Sequence, residues 1–212
     1  MRIITGSARG IALETLPGEE TRPTAERVKE ALFSMIQFDI EGRRVLDLFA
    51  GSGQLGLEAL SRGASHATFI DSSRDAVDVV LRNAAKTKLK DRARVAVMDF
   101  SAYLKNGKFA DPFDIIFLDP PYNTPCMAEA LRLIVKAGAL RDGGTIVCET
   151  DTELAERKKK KKEVRDDEAD ILNDVFRGDA ELMDKYTVIK STRYGRSRVT
   201  LLTLQLEGKD VL

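Results

Sequence analysis

The sequence predicts an α/β protein built around a parallel sheet, because short apolar runs alternate with helix-like stretches through its middle. Strands that are buried on both faces form near-continuous apolar runs, and parallel neighbours need a crossover helix between them. The strand-like runs cover residues 45–49, 67–71, 94–98, 114–118 and 145–148. The helix-like stretches cover residues 55–62, 74–87 and 127–137. This alternation predicts a sheet with helices on both faces.

The N-terminal end departs from this alternation. Residues 1–20 predict a small β-hairpin, because Gly6 and Gly10 stand at positions where the chain can bend. Residues 24–37 then predict a helix, since their apolar side chains recur at helical spacing. We therefore expect an N-terminal extension of hairpin and helix over residues 1–37.

The C-terminal part combines a predicted hairpin with a charged insertion. Residues 186–191 and 198–206 predict two strands joined by a tight turn. Residues 152–183 contain a run of lysines followed by a cluster of acids, and we expect a long, mobile insertion with a helix at 167–176. These elements complete a main domain that we expect to span residues 38–212.

Composition limits the classes of protein that need to be considered. The chain has 212 residues, of which 43% are hydrophobic, which suits one globular domain with a small extension. One histidine and two distant cysteines, Cys126 and Cys148, predict reduced thiols and no metal site. The 34 basic and 34 acidic residues balance, so any surface for nucleic acid must be local.

A glycine-rich segment follows the first predicted strand and leads into a helix. Gly51, Ser52, Gly53 and Gly56 stand at this turn, where the absence of a Cβ lets the backbone approach a ligand closely. The N-terminus of the helix adds unpaired N–H groups. The spacing also matches a dinucleotide-binding fingerprint, and a tight turn without a ligand is the simpler alternative.

Carboxylates at the ends of three predicted strands favour a cationic cofactor. Asp47 stands just before the glycines, where it would repel a pyrophosphate but attract the ammonium and sulfonium of S-adenosylmethionine, directly or through water. Asp71 is a candidate for the ribose hydroxyls, and Asp99 with Phe100 for the adenine; a helix cap is the alternative for each aspartate. The candidate cofactor-binding residues are Asp47, Phe49, Gly51, Ser52, Gly53, Gly56, Asp71, Asp99 and Phe100.

The fourth predicted strand ends in Asp119-Pro120-Pro121-Tyr122, and these four residues are the catalytic candidates. Two prolines give a stiff turn that leaves carbonyl groups available as acceptors. The Asp119 carboxylate and the Pro120 carbonyl are placed to accept the two N–H groups of an aromatic amine, and Tyr122 to stack on its base. A structural turn that ends a strand is the alternative.

These two motifs resemble those of class I amino-methyltransferases. The matching segments are LDLFAGSG at residues 46–53 and DPPY at residues 119–122. Further segments are similar to the RsmD family, the bacterial enzymes that methylate guanine N2 in small-subunit ribosomal RNA. These segments are residues 1–10, 21–33, 56–64 and 194–199.

The resemblance implies a Rossmann-like class I methyltransferase fold with a seven-stranded, mostly parallel sheet and a C-terminal antiparallel hairpin. It also implies S-adenosylmethionine as cofactor and 16S ribosomal RNA as substrate, within the small subunit or an assembly intermediate. We expect a cytoplasmic monomer. The insertion at residues 152–183 departs from the family pattern and leaves the mode of substrate docking open.

Cations near both ends of the chain are candidates for contacts with RNA phosphates. Five cations and no acid occur between residues 185 and 206, although a solvated hairpin face would have the same composition. Arg22 and Thr24 are candidates near the cofactor or the target base. The candidate RNA-binding residues are Arg2, Arg9, Arg22, Thr24, Arg193, Arg196 and Arg198.

Three other functions fit parts of the sequence. A DNA adenine or cytosine amino-methyltransferase would share both motifs but needs a target-recognition segment, for which only the charged insertion is available. A nicotinamide-dependent oxidoreductase would share the glycine spacing, but Asp47 opposes it. A non-catalytic RNA-binding module would not need the intact motifs.

Overall fold

The computed structural model of the protein describes residues 1–16, 23–121, 125–151 and 167–205. In this part of the chain, seven strands form one sheet in the order β3-β2-β1-β4-β5-β7-β6. Strands β1 to β5 run parallel, and β7 pairs antiparallel with both β5 and β6. The strands are β1 Arg44–Asp47, β2 His66–Asp71, β3 Ala93–Val97, β4 Phe113–Leu118, β5 Leu140–Asp151, β6 Tyr186–Tyr194 and β7 Ser197–Leu204.

Helices cover both faces of the sheet and give two apolar layers. One layer lies between the sheet and residues 1–13, α1, α2 and α3, and the other lies between the sheet and α4 to α7. Successive side chains of each strand point to opposite layers. Phe117 and Val147 face the first layer, and Leu118 and Cys148 face the second. The helices are α1 Pro23–Met35, α2 Gln54–Ser61, α3 Arg74–Lys86, α4 Phe100–Asn106, α5 Cys126–Ala137, α6 Asp167–Asp174 and α7 Ala180–Met183.

The predicted α/β class and the C-terminal antiparallel hairpin are confirmed, while several element boundaries differ. Strand β1 ends at Asp47 rather than at residue 49, because the chain turns immediately into the glycine-rich segment. Strand β5 begins five residues before the predicted run and includes a register shift against β4. Helix α4 was absent from the prediction; Asp99 caps it by accepting hydrogen bonds from Ser101 N and Ala102 N.

In residues 1–16, the described part of the predicted N-terminal hairpin, pairing is reduced to one antiparallel bridge between Arg2 and Ala12. Gly6 and Gly10 do form the bends, with φ of +88° and +83°. A regular ladder does not form in residues 1–16 because α2 takes part of the hydrogen bonding of this segment. Ser61, for example, accepts the backbone N–H of Ala8 at 3.0 Å through its hydroxyl oxygen.

A buried carboxylate anchors the N-terminal segment. Glu58 of α2 is fully buried and accepts the backbone N–H groups of Ile4 at 2.7 Å and Thr5 at 3.0 Å. It also pairs with Arg62 at 2.8 Å and with the buried ammonium of Lys29 on α1 at 3.3 Å. Burial lowers the pKa of Lys29, and the adjacent Glu58 opposes this shift. One side chain therefore joins α1, α2 and the N-terminal segment.

Residues 167–183, the part of the predicted insertion that the structure describes, pack on the sheet. Ile171, Val175, Phe176 and Leu182 are buried in the layer that contains α5. The expectation of a mobile segment is therefore wrong for residues 167–183, although a helix is present there as predicted. Residues 152–166 lie outside the described residues.

Replacing Glu58 with alanine should strongly destabilise the fold. The change leaves the Lys29 ammonium buried without its carboxylate and removes the acceptor of two backbone N–H groups. Loss of one partner of a buried pair costs about 3–5 kcal/mol. Urea denaturation followed by circular dichroism measures the change. Glu30→Ala on the exposed side of α1 is the matched control and should cost less than about 0.5 kcal/mol; similar losses in both variants would contradict the anchoring role.

Candidate functional site

The glycine loop, residues 48–53, connects β1 to α2 at the carboxyl edge of the sheet. Its start is held between the neighbouring strands, since Leu48 N donates to Phe117 O of β4 and Ala50 N donates to Ile70 O of β2. Gly51 and Gly53 adopt positive φ of +50° and +78°, a conformation that favours glycine. The loop therefore presents its backbone between the ends of β2 and β4.

Gly56 serves the packing of α2 against the sheet. A Cβ at this position would lie 2.3 Å from Cε1 of Phe69 on β2, a distance that side chains do not tolerate. Absence of a side chain lets α2 approach β2 and fixes where its N-terminus points. The third glycine of the sequence pattern thus acts on the helix–sheet contact.

Asp47 stabilises the turn from the glycine loop into α2. Its side chain is buried and accepts the backbone N–H of Gly56 at 2.9 Å. Burial raises the pKa of Asp47 to about 7; the Gly56 hydrogen bond opposes this rise, and the nearby Asp71 adds to it. Direct contact with a cofactor, one of the two predicted possibilities, does not fit this burial, so Asp47 supports the first turn of α2.

Asp71, at the end of β2, is tied to the loop. Its carboxylate accepts Gly51 N at 2.8 Å through one oxygen and Ser73 N at 2.8 Å through the other. The side chain is partly exposed, and each oxygen retains a further lone pair. Asp71 therefore shapes the glycine loop and still offers acceptors to a ligand.

Two aromatic rings lie at the same edge. Phe49 in the loop and Phe100 at the start of α4 are partly exposed, with ring centroids 5.0 Å apart and planes inclined at 45°. Asp99, next to Phe100, caps α4, as the alternative interpretation of this aspartate proposed. The rings offer an apolar contact for a planar group, and Asp99 stands exposed beside them.

Asn83 links the glycine loop to the N-terminal segment, and sequence reasoning missed it. Its buried amide nitrogen donates to Ser52 O and Glu14 O, both at 2.9 Å, and its oxygen accepts Glu14 N at 2.8 Å. The only sequence signal was a polar residue at an apolar position of an amphipathic helix. Asn83 holds the loop carbonyl from the side of α3.

Asp119 and Pro120 follow β4 directly beside the glycine loop. Because β1 and β4 are neighbours, with Asp47 paired to Phe117, the residues after β4 emerge next to those after β1. Asp119 is partly exposed, Pro120 is buried and Pro121 is exposed. Tyr122 lies outside the described residues, so its predicted stacking role stays a prediction.

A further carboxylate stands beside this turn and was absent from the predicted site. Glu149 of β5 follows Cys148, which pairs with Leu118 of β4. Burial raises the pKa of Glu149, while a hydrogen bond from the Ser197 side chain opposes the rise. An acidic residue directly after the apolar run at residues 146–148 was the available signal.

The predicted RNA-binding cations occupy different environments. Arg2 and Arg9 are exposed on the N-terminal segment, and Arg196 is exposed at the β6–β7 turn, 3.3 Å from Asp151. Arg193 is partly buried and donates to Gly195 O at 2.9 Å. Arg22 and the side chain of Thr24 lie outside the described residues.

Arg198 is a correction to the predicted RNA contacts. It is only 4% exposed and pairs with two aspartates of α6, Asp170 at 3.2 Å and Asp174 at 3.3 Å. Burial raises the pKa of Asp174, and the charge of Arg198 opposes that shift. The prediction that Arg198 contacts RNA is wrong, because its guanidinium fastens α6 to β7 instead.

Two absences hold for the described ranges. No group of three or more histidine, cysteine or acidic side chains in residues 1–16, 23–121, 125–151 and 167–205 is arranged to hold a metal ion. Over the same ranges, none of the helices combines the length and apolar character that crossing a bilayer requires.

Known proteins share both the sequence and this architecture. The family described as "Conserved hypothetical protein 95" matches residues 1–173. YlbH of Bacillus subtilis is 43% identical over 155 residues, which cover 73% of this chain and 84% of the relative. "Ribosomal RNA small subunit methyltransferase D" of Escherichia coli is 37% identical over 153 residues, 72% of this chain and 76% of the relative.

A solved structure extends the likeness to nearly the whole fold. The YhhF structure of Escherichia coli superposes with a TM-score of 0.73 at 28% identity, and the match covers 97% of this chain and 98% of that one. The range that the family matches, residues 1–173, includes the N-terminal segment, the glycine loop and Asp119-Pro120-Pro121. The chain therefore belongs to the family of conserved hypothetical protein 95, which is the RsmD family that its motifs resemble.

Proposed function

We propose that this protein transfers a methyl group from S-adenosylmethionine to the exocyclic N2 of a guanine in small-subunit (16S) ribosomal RNA. The observation that carries the proposal is the pairing of β1 with β4, which brings the glycine loop and Asp119 to one edge of the sheet. The broader activity is supported by the Escherichia coli relative, whose name is that of a ribosomal RNA methyltransferase. A cytoplasmic location belongs to the same proposal, because ribosomal subunits are assembled there.

The described residues around the glycine loop fit this cofactor. Gly53 packs so closely on α3 that a Cβ would lie 3.2 Å from the methyl carbons of Val80, so a glycine here keeps the loop in its place at the edge of the sheet. The Asp71 carboxylate would accept hydrogen bonds from the ribose hydroxyls, and Phe49 and Phe100 would pack on the adenine. When bound, S-adenosylmethionine supplies a methyl group that its sulfonium activates for transfer.

The residues that end β4 orient the target amine. An exocyclic amine of guanine is a poor nucleophile because its lone pair is delocalised into the ring. The Asp119 carboxylate and the Pro120 carbonyl would each accept one N–H, which directs the remaining lone pair towards the glycine loop. These acceptors already stand in position, so they need not reorient as charge develops in the transition state. Preorganised polar groups contribute to the rate for this reason.

Methyl transfer to defined acceptors tests this function. The protein is incubated with methyl-labelled S-adenosylmethionine and either small ribosomal subunits from cells that lack the enzyme, duplex DNA or free guanine. Digestion to nucleosides should place the label in N2-methylguanosine of 16S ribosomal RNA, with little in DNA or free guanine, because RNA contacts must present the extruded base. Label in adenine or only in DNA would contradict the proposal.

Replacing Asp71 with alanine should weaken cofactor binding. The variant loses an acceptor for the ribose and the hydrogen bond that holds Gly51. Hydrogen bonds to a charged group contribute about 1.5–3 kcal/mol, which corresponds to roughly a tenfold to hundredfold increase in Kd. Isothermal calorimetry with S-adenosylmethionine measures it. Asp75→Ala, an exposed aspartate in the first turn of α3, is the control; unchanged affinity of Asp71→Ala would remove Asp71 from the site.

Replacing Asp119 with alanine should abolish most turnover and leave cofactor affinity within a few fold. The reason is that Asp119 contacts the target amine, and loss of one preorganised polar group of this kind costs on the order of a hundredfold in rate. Single-turnover methylation of small subunits and calorimetry give the two values. Asp142→Ala removes an exposed carboxylate of β5 and should retain normal rates. A near-normal single-turnover rate for Asp119→Ala would refute its role.

Neutralising Arg193 and Arg196 together should weaken RNA binding. Each phosphate contact that is lost should flatten the plot of log affinity against log salt by about 0.7–0.9. Fluorescence anisotropy with a 16S RNA fragment at several salt concentrations provides the slope. The control removes Arg43 and Arg141, two exposed cations at the opposite edge of the sheet. Equal slopes for the two double variants would place the RNA elsewhere.

A further inference from the structure

We propose that Glu149 takes the proton that the target amine loses on methylation, an inference that rests on the proposed function. Glu149 follows Cys148 in β5, and Cys148 is in register with Leu118, the residue before Asp119. Continued by one residue, this parallel register brings Glu149 next to Asp119 at the carboxyl edge of the sheet. The carboxylate stands next to the acceptors that hold the amine.

Glu149 and the turn after β4 belong to the same side of the sheet. Phe117 and Val147, two residues earlier in β4 and β5, both lie in the layer under α1. Since side chains alternate along a strand, Glu149 projects to that face as well. The Ser197 side chain of β7 is close enough to its carboxylate to lower its pKa, so β7 borders the same position. An acceptor is thus available at the side of the target base.

The environment of Glu149 suits a proton acceptor. Burial raises the pKa of its carboxyl group above that of an ordinary glutamate. A base is more effective when its pKa is closer to the working pH. The side chain is also partly exposed, so a proton received from the substrate has a path to water.

Two other described carboxyl groups with a raised pKa lack this placement. Asp47 is buried beneath the glycine loop and accepts the Gly56 N–H. Asp174 lies in α6, in contact with the Arg198 guanidinium. Among the described carboxyl groups whose pKa is raised, Glu149 is therefore the one that stands beside Asp119 and reaches solvent.

The step balances without a further reactant. As the amine nitrogen bonds to the methyl carbon, the carbon–sulfur bond breaks and its electron pair remains on sulfur, which becomes neutral. The nitrogen then carries a positive charge and one proton too many. The N–H bond that points to Asp119 breaks, the electron pair returns to nitrogen, and the proton passes by way of the Asp119 carboxylate to the Glu149 carboxylate and from there to water.

Other charged or titratable groups at this edge define the background for a pH experiment. Asp119 follows β4, Asp151 ends β5, Tyr194 ends β6 and Arg196 lies in the β6–β7 turn, paired with Asp151. Arg198 pairs with the α6 aspartates on the other face. A variant that changes only Glu149 keeps these groups in place.

The test compares Glu149→Gln with the unchanged protein in single-turnover methylation of small subunits across a range of pH. For the unchanged protein, the rate should rise with pH as Glu149 loses its proton and then level off, since the base acts when ionised. This rise should lie above the pH at which ordinary glutamates titrate. The variant should be about a hundredfold slower at neutral pH and should lose the rise. Glu149→Asp should recover part of the rate and should keep the rise with pH.

Carbon-13 NMR of glutamate carboxyl groups gives a readout that needs neither cofactor nor RNA. The resonance missing from Glu149→Gln identifies Glu149, which should titrate at higher pH than exposed glutamates. Asp151→Asn is the matched control for loss of charge at the same strand end and should keep the pH rise.

Three results would overturn the assignment. One is a Glu149→Gln rate within threefold of normal, another is a uniform loss that keeps the pH rise, and the third is a Glu149 that titrates with exposed glutamates. If the unchanged protein fails to methylate guanine, the proposed function fails instead. Calorimetric affinity for S-adenosylmethionine shows that the variant is folded; if it is not, Glu149→Asp decides, and the glutamate resonance missing from that variant identifies Glu149 for the NMR titration.

Discussion

The pairing of β1 with β4 determines where the candidate functional side chains lie. Strands β2 and β3 extend the sheet on one side of this pair, and β5 extends it on the other, so the chain changes direction across the sheet there. Loops that leave two such neighbouring strands diverge and open a crevice at their carboxyl ends. The glycine loop follows β1 and Asp119 follows β4, so the pairing of two strands that are distant in the sequence brings the candidate cofactor loop and the candidate substrate turn together.

Buried polar side chains then hold this edge in one shape. Asp47 fastens the first turn of α2, Asn83 holds the Ser52 carbonyl, and Glu58 binds the N-terminal segment to α2. A buried polar group is costly unless its hydrogen bonds are made, so alternative positions of these segments are disfavoured. The precision of the site depends on these internal contacts as much as on the residues that face a ligand.

Sequence patterns predicted the sheet because apolar periodicity and glycine placement are local properties. They also located Asp71 at the end of a strand and Asp119 directly after one. They did not predict that Arg198 is buried against α6 or that Glu149 stands beside Asp119. Those facts depend on which strands become neighbours and on which charges meet across the fold. The residues adjacent to a position in the sequence determine neither.

The charges of the site restrict how RNA can approach. Asp71, Asp99, Asp119 and Glu149 all stand at the carboxyl edge, and ionised carboxylates there repel phosphates. For the proposed RNA substrate, this repulsion would keep the backbone outside the crevice, and the exposed cations of the N-terminal segment and of the β6–β7 turn are the candidates to hold it. A base that reaches Asp119 from that distance has to leave its stack and enter alone. The same acids that repel the backbone accept hydrogen bonds from an amine, so the electrostatics favour an extruded base over a stacked strand.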